Sequence, residues 1–487
     1  MRRVSIIDTT LRDAHQCLWA TRMTTAMMLP VAETMDRAGF DAIDLAGTIQ
    51  FDVCVRYLKE DPWERVRLMR ERVTRTPLRS LVRSKNLLSF DMVPDDIVAL
   101  WIERLVANGF GVIGAFDGLN DMDNVLFTAR RAHELGVRTF GAIAFSHSPV
   151  HTDELYVAKA RILAESGVVD ALMLKDAAGL LTPERVTTLV PALKAVLGPI
   201  PLEVHSHCLT GLAPLVYLEA VRHGADQLHT SIAPLASGPA QPATQQMLRN
   251  LPAAGATADL DEEAIARVSE HFARVAEAEG KPVGAPLDYD AFHYEHQVPG
   301  GMQSNLRFQL EHAGLPDRLD EVLHECARVR GELGWPIMIT PFAQLVGTQA
   351  VLNVVHGERY AVVPDEVKKY VLGFYGELPA PVQPDVLDRI VANGSQRIPA
   401  APEPPEPGVA RLRARYPRAS DDDRLLHFMF AGSQVEEMRA AGPMQTEWRP
   451  PRAPLVDLVA GLAGRPGIAH ARIEKGPLVL ELGGADG

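Results

Sequence analysis

Cysteine is scarce in this 487-residue chain: Cys17, Cys54, Cys208 and Cys326 lie far apart. No two have the close spacing of a zinc-ligand pair, and four scattered thiols make no disulfide framework, so a stapled secreted fold is excluded and a reducing cytoplasm is expected. Long apolar runs are missing too. No stretch approaches the roughly 18–20 uncharged apolar residues that a membrane span needs. The N-terminus "MRRVSIIDTT" lacks a long apolar region and meets Asp8 early, so no secretory leader is expected. Net positive charge is absent: 49 Lys and Arg against 62 Asp and Glu leave −13. That argues against a broad nucleic-acid surface while leaving room for a local basic pocket. Glycine is missing from "DTTLRDA", the turn after the first apolar run, where a dinucleotide-binding sheet would carry it.

Eight short apolar runs are present in the first 235 residues. They are "VSIID" (4–8), "FDAIDLAG" (40–47), "LRSLVRS" (78–84), "GVIGAFD" (111–117), "RTFGAIAFS" (138–146), "DALMLKD" (170–176), "PLEVHSH" (201–207) and "DQLHTSIAP" (226–234). Amphipathic helical stretches separate them, such as 182–198, which opens with a Thr-Pro helix start. Strands joined by helical crossovers make a parallel sheet, and eight units in this length fit a closed (β/α)8 TIM barrel; an open doubly wound sheet is the alternative. Beyond residue 250 the pattern turns helical, with helices expected over 261–280, 305–332 and 341–355. The expected division is a barrel over 1–290, a mostly helical domain over 291–398, a Pro-rich linker over 399–408 and a small segment over 409–487. That last segment is expected to hold one or two helices around "DDRLLHFMFAGSQVEEMRAAG" and a small hairpin in "HARIEKGPLVLELGG", with no chemistry assigned to it.

In such a barrel the reactive residues gather at the carboxyl ends of the strands. The runs end in Asp8 with Arg12, Asp13 and Gln16 beyond it, in Arg83, Ser84 and Lys85, in Asp117, in Lys175 and Asp176, in His205 and His207, and in His229, Thr230 and Ser231. Residues i and i+2 of a strand face one side, so His205 and His207 can share a metal, and Asp13 offers a carboxylate. Two histidines and a carboxylate suit a divalent transition metal with open positions for substrate. Two histidines bonded to backbone at a strand end are the plain alternative. Lys175 is the oddity, because an ammonium repels a cation and has no lone pair to give. It could pair with Asp13 or Asp176, serve as a Schiff-base amine, or add carbon dioxide and become a carbamate ligand. Periodicity leaves the three open.

The motifs "DTTLRDAHQ", "FDVCVRYLKEDPWERVR", "SPVHT", "LKDAAGLLTP", "VHSHCLTGLA", "YEHQVPGGMQSNL" and "TPFAQLVGTQAVLNV" closely resemble, in order, the carboxyltransferase component of biotin-dependent enzymes acting on 2-oxo acids. That family comprises pyruvate carboxylase, the oxaloacetate decarboxylase alpha subunit and the keto-acid subunit of transcarboxylase. The resemblance spans residues 4 to about 395. It implies a metal-centred barrel capped by a helical funnel. It further implies that Asp13, Lys175 as its carbamate, His205 and His207 hold a divalent metal, usually zinc, cobalt or manganese. Gln16 and Arg83 match residues that grip the oxo acid, and Thr340 matches a threonine that moves protons between the oxo acid's methyl carbon and biotin. By residue type alone, Thr340 before Pro341 also fits a helix N-cap, Arg83 a surface salt bridge and Gln16 a loop-closing hydrogen bond. The implied chemistry is transfer of a carboxyl group between carboxybiotin and a pyruvate- or oxaloacetate-type acid through a metal-stabilised enolate. A homodimer is implied as well.

The chain departs from the family pattern at the site's mouth. Where Trp-Gly-Gly-Ala-Thr is usual it reads Ala46-Gly47-Thr48-Ile49-Gln50. Where Phe-Arg-Val-Phe-Asp is usual it reads Ile113-Gly114-Ala115-Phe116-Asp117. After the third strand it reads Val82-Arg83-Ser84-Lys85 instead of Leu-Arg-Gly. A tryptophan and an arginine are thus lost. Lys85 is a candidate to restore the charge, and a larger 2-oxo acid than pyruvate is an expected acceptor. No Ala-Met-Lys-Met-type biotin hairpin and no Gly-rich ATP-grasp domain is present, so biotin is expected on a separate carrier protein, charged by a separate biotin carboxylase. The rival readings are a biotin-independent lyase or aldolase on the same barrel and a catalytically weakened assembly subunit.

Overall fold

The computed structural model describes residues 1–312, 314–450, 458, 461–462, 470–475 and 478–483. Eight parallel strands close into a barrel in chain order: β1 (Ser5–Asp8), β2 (Ala42–Gly47), β3 (Leu78–Val82), β4 (Phe110–Phe116), β5 (Arg138–Ala144), β6 (Ala171–Asp176), β7 (Leu202–Ser206) and β8 (Gln227–Thr230). Each falls inside or within a residue of one of the eight apolar runs. The runs look continuous because both faces are buried. Ile43, Ile113, Ile143, Leu172, Leu174 and Val204 point outward into the layer of helices. The alternate residues Ile7, Ala42, Leu81, Val112, Phe140 and Met173 fill the barrel. Lys175, Glu203 and His205 have the inward parity.

Side-chain caps start the crossover helices where the sequence supplies them. Thr24, Asp61, Asp121, Thr152 and Thr182 each accept a backbone N–H in the first turn of helices Thr25–Arg37, Pro62–Arg72, Met122–Glu134, Asp153–Glu165 and Pro183–Leu197. Such caps satisfy donors that the helix itself leaves free. The Thr-Pro start at 182 is one of them.

The helical region differs from expectation in one element. The stretch 305–332 is two helices, Gly300–His312 and Leu319–Glu332, broken by a turn over Pro316–Arg318. Gly314 there takes φ +73°, and Pro316 has no N–H to continue the ladder. Helices Glu262–Glu279 and Phe342–His356 lie where they were expected. The last helix begins at Phe342 with Pro341 at its cap, and no side chain caps it; the N-cap reading of Thr340 is therefore incorrect.

Beyond the Pro-rich stretch, helices Val409–Arg415, Asp421–Met429 and Gly432–Ala440 pack on the outside of the barrel. Leu425, Leu426, Phe430, Val435 and Met438 join the barrel–helix core. Asp422 accepts from Arg104 Nε at 2.6 Å and from Arg67 Nη1 at 3.3 Å. The terminal hairpin pairs β9 (His470–Lys475) with β10 (Leu478–Gly483) antiparallel; its turn, 476–477, lies outside the described residues. No described helix is long and apolar enough to cross a membrane.

Candidate active site

The first strand stops at Asp8 and the chain winds into a wide helical turn, Thr10–Ala14. This turn points Asp13 back over the barrel mouth. Strand β7 delivers His205, and His207 follows one residue past its end. Asp13 Oδ2 lies 3.0 Å from His205 Nε2 and 3.2 Å from His207 Nε2, and the two imidazole nitrogens are 3.2 Å apart. All three groups are buried, and their ligand atoms fall within 4.8 Å of one another. A carboxylate oxygen and two imidazole nitrogens converging on one point are the donor set of a divalent transition metal, so the residues present fit such an ion. Lys175 joins from β6, which pairs with β7 so that Lys175 faces His205. Its Nζ is 3.3 Å from His205 Nε2.

The surroundings orient these groups. His207 Nδ1 lies 2.6 Å from the Pro239 carbonyl oxygen; donating there leaves Nε2 free to face Asp13. Arg12 sits in the same turn, 2.9 Å from Asp13 Oδ1 and 2.6 Å from Asp44 Oδ2. Burial would raise the Asp13 carboxyl, but Arg12, Lys175 and His207 hold it well below the ordinary value. Burial pulls the Lys175 ammonium below its ordinary value against the opposing pull of Asp13, which favours the neutral, nucleophilic amine. Burial drives His205 well below its ordinary value. His207, also penalised by burial, is carried up to about 10 by Asp13.

Asp13, Gln16, Arg83, Lys175, His207 and Thr340 line one cavity of about 850 Å³ above the barrel mouth. His205 lies beneath it, fully buried. Gln16 Oε1 accepts from Gln50 Nε2 at 3.2 Å. Arg83 donates from Nη2 to the Ser89 carbonyl, leaves Nε without a partner and meets no carboxylate among the described residues. Burial lowers its pKa to about 10. The salt-bridge reading of Arg83 is therefore incorrect. Thr340 is exposed toward the cavity.

A family model described as "Conserved carboxylase domain" matches residues 294–441. The chain is 44% identical over 408 residues to a pyruvate carboxylase subunit of Methanocaldococcus jannaschii, covering 83% of this chain and 71% of that protein. It is 36% identical over 396 residues to the 2-oxoglutarate carboxylase large subunit of Hydrogenobacter thermophilus, covering 81% of this chain and 61% of that one. The carboxyl transferase domain of Rhizobium etli pyruvate carboxylase, solved with pyruvate and biocytin, superposes with a TM-score of 0.82 at 26% identity, covering 90% of this chain and 77% of that domain.

The chain belongs to the carboxyltransferase family of biotin-dependent 2-oxo acid enzymes.

Lys85 does not restore the lost charge. Its Nζ pairs with Asp95 at 3.0 Å and lies over the Phe127 ring, and it does not line the cavity. The position of the family's strand-four arginine is Gly114, where a Cβ would come within 2.3 Å of the Phe140 carbonyl oxygen and 2.4 Å of its ring. Phe140 fills that space and stacks under Arg79, whose Cζ is 3.4 Å from the ring centroid. Arg79 enters the barrel from β3, paired with Glu203.

Sequence reasoning missed Gln241. Its Nε2 donates to Asp13 Oδ2 at 2.9 Å and lies 3.1 Å from His207 Nε2 and 3.4 Å from His205 Nε2. Thr9 Oγ1, 2.8 Å from its Oε1, orients the amide. Gln241 comes from a loop past β8 whose composition reads only as turn, so no local pattern marks it.

Proposed function

We propose that the chain is the carboxyl-transferring component of a biotin enzyme built from several chains, exchanging a carboxyl group between biotin on a separate carrier protein and a 2-oxo acid. The observation that carries the reading is the convergence of Asp13, His205 and His207 beside Lys175 on the floor of a cavity walled by Gln16, Arg83 and Thr340. When bound by Asp13, His205, His207 and the Lys175 carbamate, a divalent ion such as zinc, cobalt or manganese supplies a Lewis acid toward the substrate's oxo oxygen.

The protein's own groups do the rest. The neutral Lys175 amine adds carbon dioxide: an N–C bond forms, one N–H proton leaves to solvent, and the product is an anionic oxygen donor. Arg83, with donors to spare, holds the acid's carboxylate through parallel hydrogen bonds. The Gln16 amide orients the oxo group. The Thr340 hydroxyl accepts the proton leaving the carbon next to the oxo group while its own proton passes to biotin, so it ends unchanged and uncharged. The enclosed cavity keeps water from the carboxyl group in transit.

The acceptor carries a single carboxylate. Among the described residues lining the cavity, Arg12 is held by Asp13 and Asp44, Arg56 by Asp52 at 2.8 Å, and Lys175 sits against His205. Arg83 is left without an acidic partner. Leu87, Leu88, Phe90 and Met92 on the wall suit an apolar substituent larger than pyruvate's methyl. The barrel over 1–290 would supply the site and 291–398 its funnel, in a cytoplasmic homodimer served by a carrier and a biotin carboxylase. Four free thiols agree with a reducing compartment.

The test is metal analysis of the pure protein, followed by decarboxylation of oxaloacetate and other 2-oxo diacids with and without free biotin. About one ion per chain and biotin-accelerated turnover are expected. Turnover indifferent to biotin would mean a lyase, and a fully metallated, active His207→Ala variant would overturn the site.

A further inference from the structure

Beneath the ligand triangle runs a line of buried polar side chains that takes no part in the chemistry above. His205 Nδ1 lies 3.1 Å from His229 Nδ1. His229 Nε2 lies 3.0 Å from Glu203 Oε2. Both Glu203 oxygens accept from Arg79, at 2.9 Å from Nη1 and 2.6 Å from Nη2. Arg79 rests on Phe140, in the room that Gly114 leaves. None of the four residues is more than 2% exposed, so water cannot stand in for a missing partner.

A neutral imidazole has one N–H and one lone pair, on opposite nitrogens. The lone pair needed for a metal at His205 Nε2 requires the proton on Nδ1. That proton then has one place to go, His229 Nδ1, which must accept it. His229 in turn carries its proton on Nε2 and donates to Glu203. A carboxylate can only accept, so Glu203 takes the His229 Nε2 proton and leaves His229 Nδ1 to accept from His205, against the competing pull of Asp13 Oδ2, 3.0 Å from His205 Nε2; the Arg79 fork keeps Glu203 in place.

We infer that His229, Glu203 and Arg79 are positioning residues that lock His205 in the tautomer with Nε2 free for the metal. The inference rests on the metal reading of the site. Its design differs from that at His207, where a backbone carbonyl performs the same task. Outer partners of this kind are worth roughly 10- to 100-fold in metal affinity.

The experiment uses full-length protein labelled with 15N-histidine, with ring tautomers read by long-range 1H–15N correlation and affinity read by chelator competition with zinc and cobalt. Apo wild type is expected to show His205 protonated on Nδ1. His229→Leu, which offers no acceptor, is expected to lose the fixed tautomer and weaken metal binding about 10- to 100-fold. His229→Gln, whose Oε1 can accept from His205 while its Nε2 donates to Glu203, is expected to restore affinity to within a few-fold. A wild-type His205 protonated on Nε2 would overturn the proposal even if no variant folded. So would a His229→Leu protein that binds metal as tightly as wild type. A wild type that takes up no metal would instead strike down the metal reading, and the tautomer measurement would still report on the hydrogen-bonded line.

Discussion

Lys175 and His205 face each other across adjoining parallel strands, and Nζ meets Nε2 at 3.3 Å. The contact brings a lysine to the edge of a metal-type donor set, where an ammonium would be repelled and a carbamate welcome. Protein exposed to 13C-bicarbonate is expected to show a carbamate carbon resonance that Lys175→Ala lacks. That variant is expected to lose bound metal and, with it, turnover, by more than the roughly 10- to 100-fold that loss of an outer partner costs. A full metal complement in Lys175→Ala would remove the lysine from the site.

Arg83 differs from the other cavity arginines, Arg12 and Arg56, in lacking a carboxylate partner among the described residues. Arg83→Ala is expected to lower kcat/KM for the oxo acid by about 100- to 1,000-fold, the scale of a lost charge-assisted bidentate contact. On the proposed reading, the same inventory of charges is expected to set acceptor choice. A 2-oxo monocarboxylate such as 2-oxobutyrate is expected to be used at least tenfold better than 2-oxoglutarate, whose second carboxylate finds no free cation; the comparison is of kcat/KM in a biotin-dependent assay. Preference for 2-oxoglutarate would point to a cation that the pairing at Arg12 or Arg56 conceals.

Thr340 makes no cap for the helix that follows it, so its hydroxyl is free for the cavity. Thr340→Ala is expected to lower kcat by about 100-fold or more with little change in the KM of the oxo acid, and Thr340→Ser to recover most of it. A matching loss in the serine variant would mean that the methyl group, and not the hydroxyl, matters.

Asp8, at the end of β1, is fully buried, and burial pushes its carboxyl from 3.8 to about 7 against hydrogen bonds from Thr10. With that shift, the folded protein is expected to hold a proton between pH 4 and pH 7 that the unfolded chain has released. Fewer protons on the unfolded side make stability fall as pH rises through that window. Asp8→Asn is expected to unfold with wild type near pH 4 and to be more stable at pH 8 by about 3 kcal/mol, the worth of the rise from 3.8 to about 7 less incomplete recovery of the hydrogen bonds. Thermal unfolding at the two pH values checks it; an unchanged difference between them would show that Asp8 does not titrate in this window.

Much of the site was legible because strand periodicity is rigid. His205 and His207 had to share a side, and Lys175 had to sit on the inward parity of β6 with Ala171 and Met173. Where a side chain's destination depended on a turn, the reading went astray. Lys85 is two residues from Arg83, yet the short turn after β3 carries it to Asp95 and Phe127, away from the cavity. Gly314 and Pro316, both strong local stop signals, break the stretch 305–332 into two helices.

The amino-acid pattern by itself determined the eight strands, their crossovers and the inward direction of the residues that end them, because burial on both faces admits only a narrow set of side chains. Tertiary structure alone decided which inward groups touch. Gln241 reaches Asp13 across 228 residues, and Glu203 meets Arg79 across 124. A strand's period tells which side a residue faces; the closure and register of the barrel choose its neighbour there.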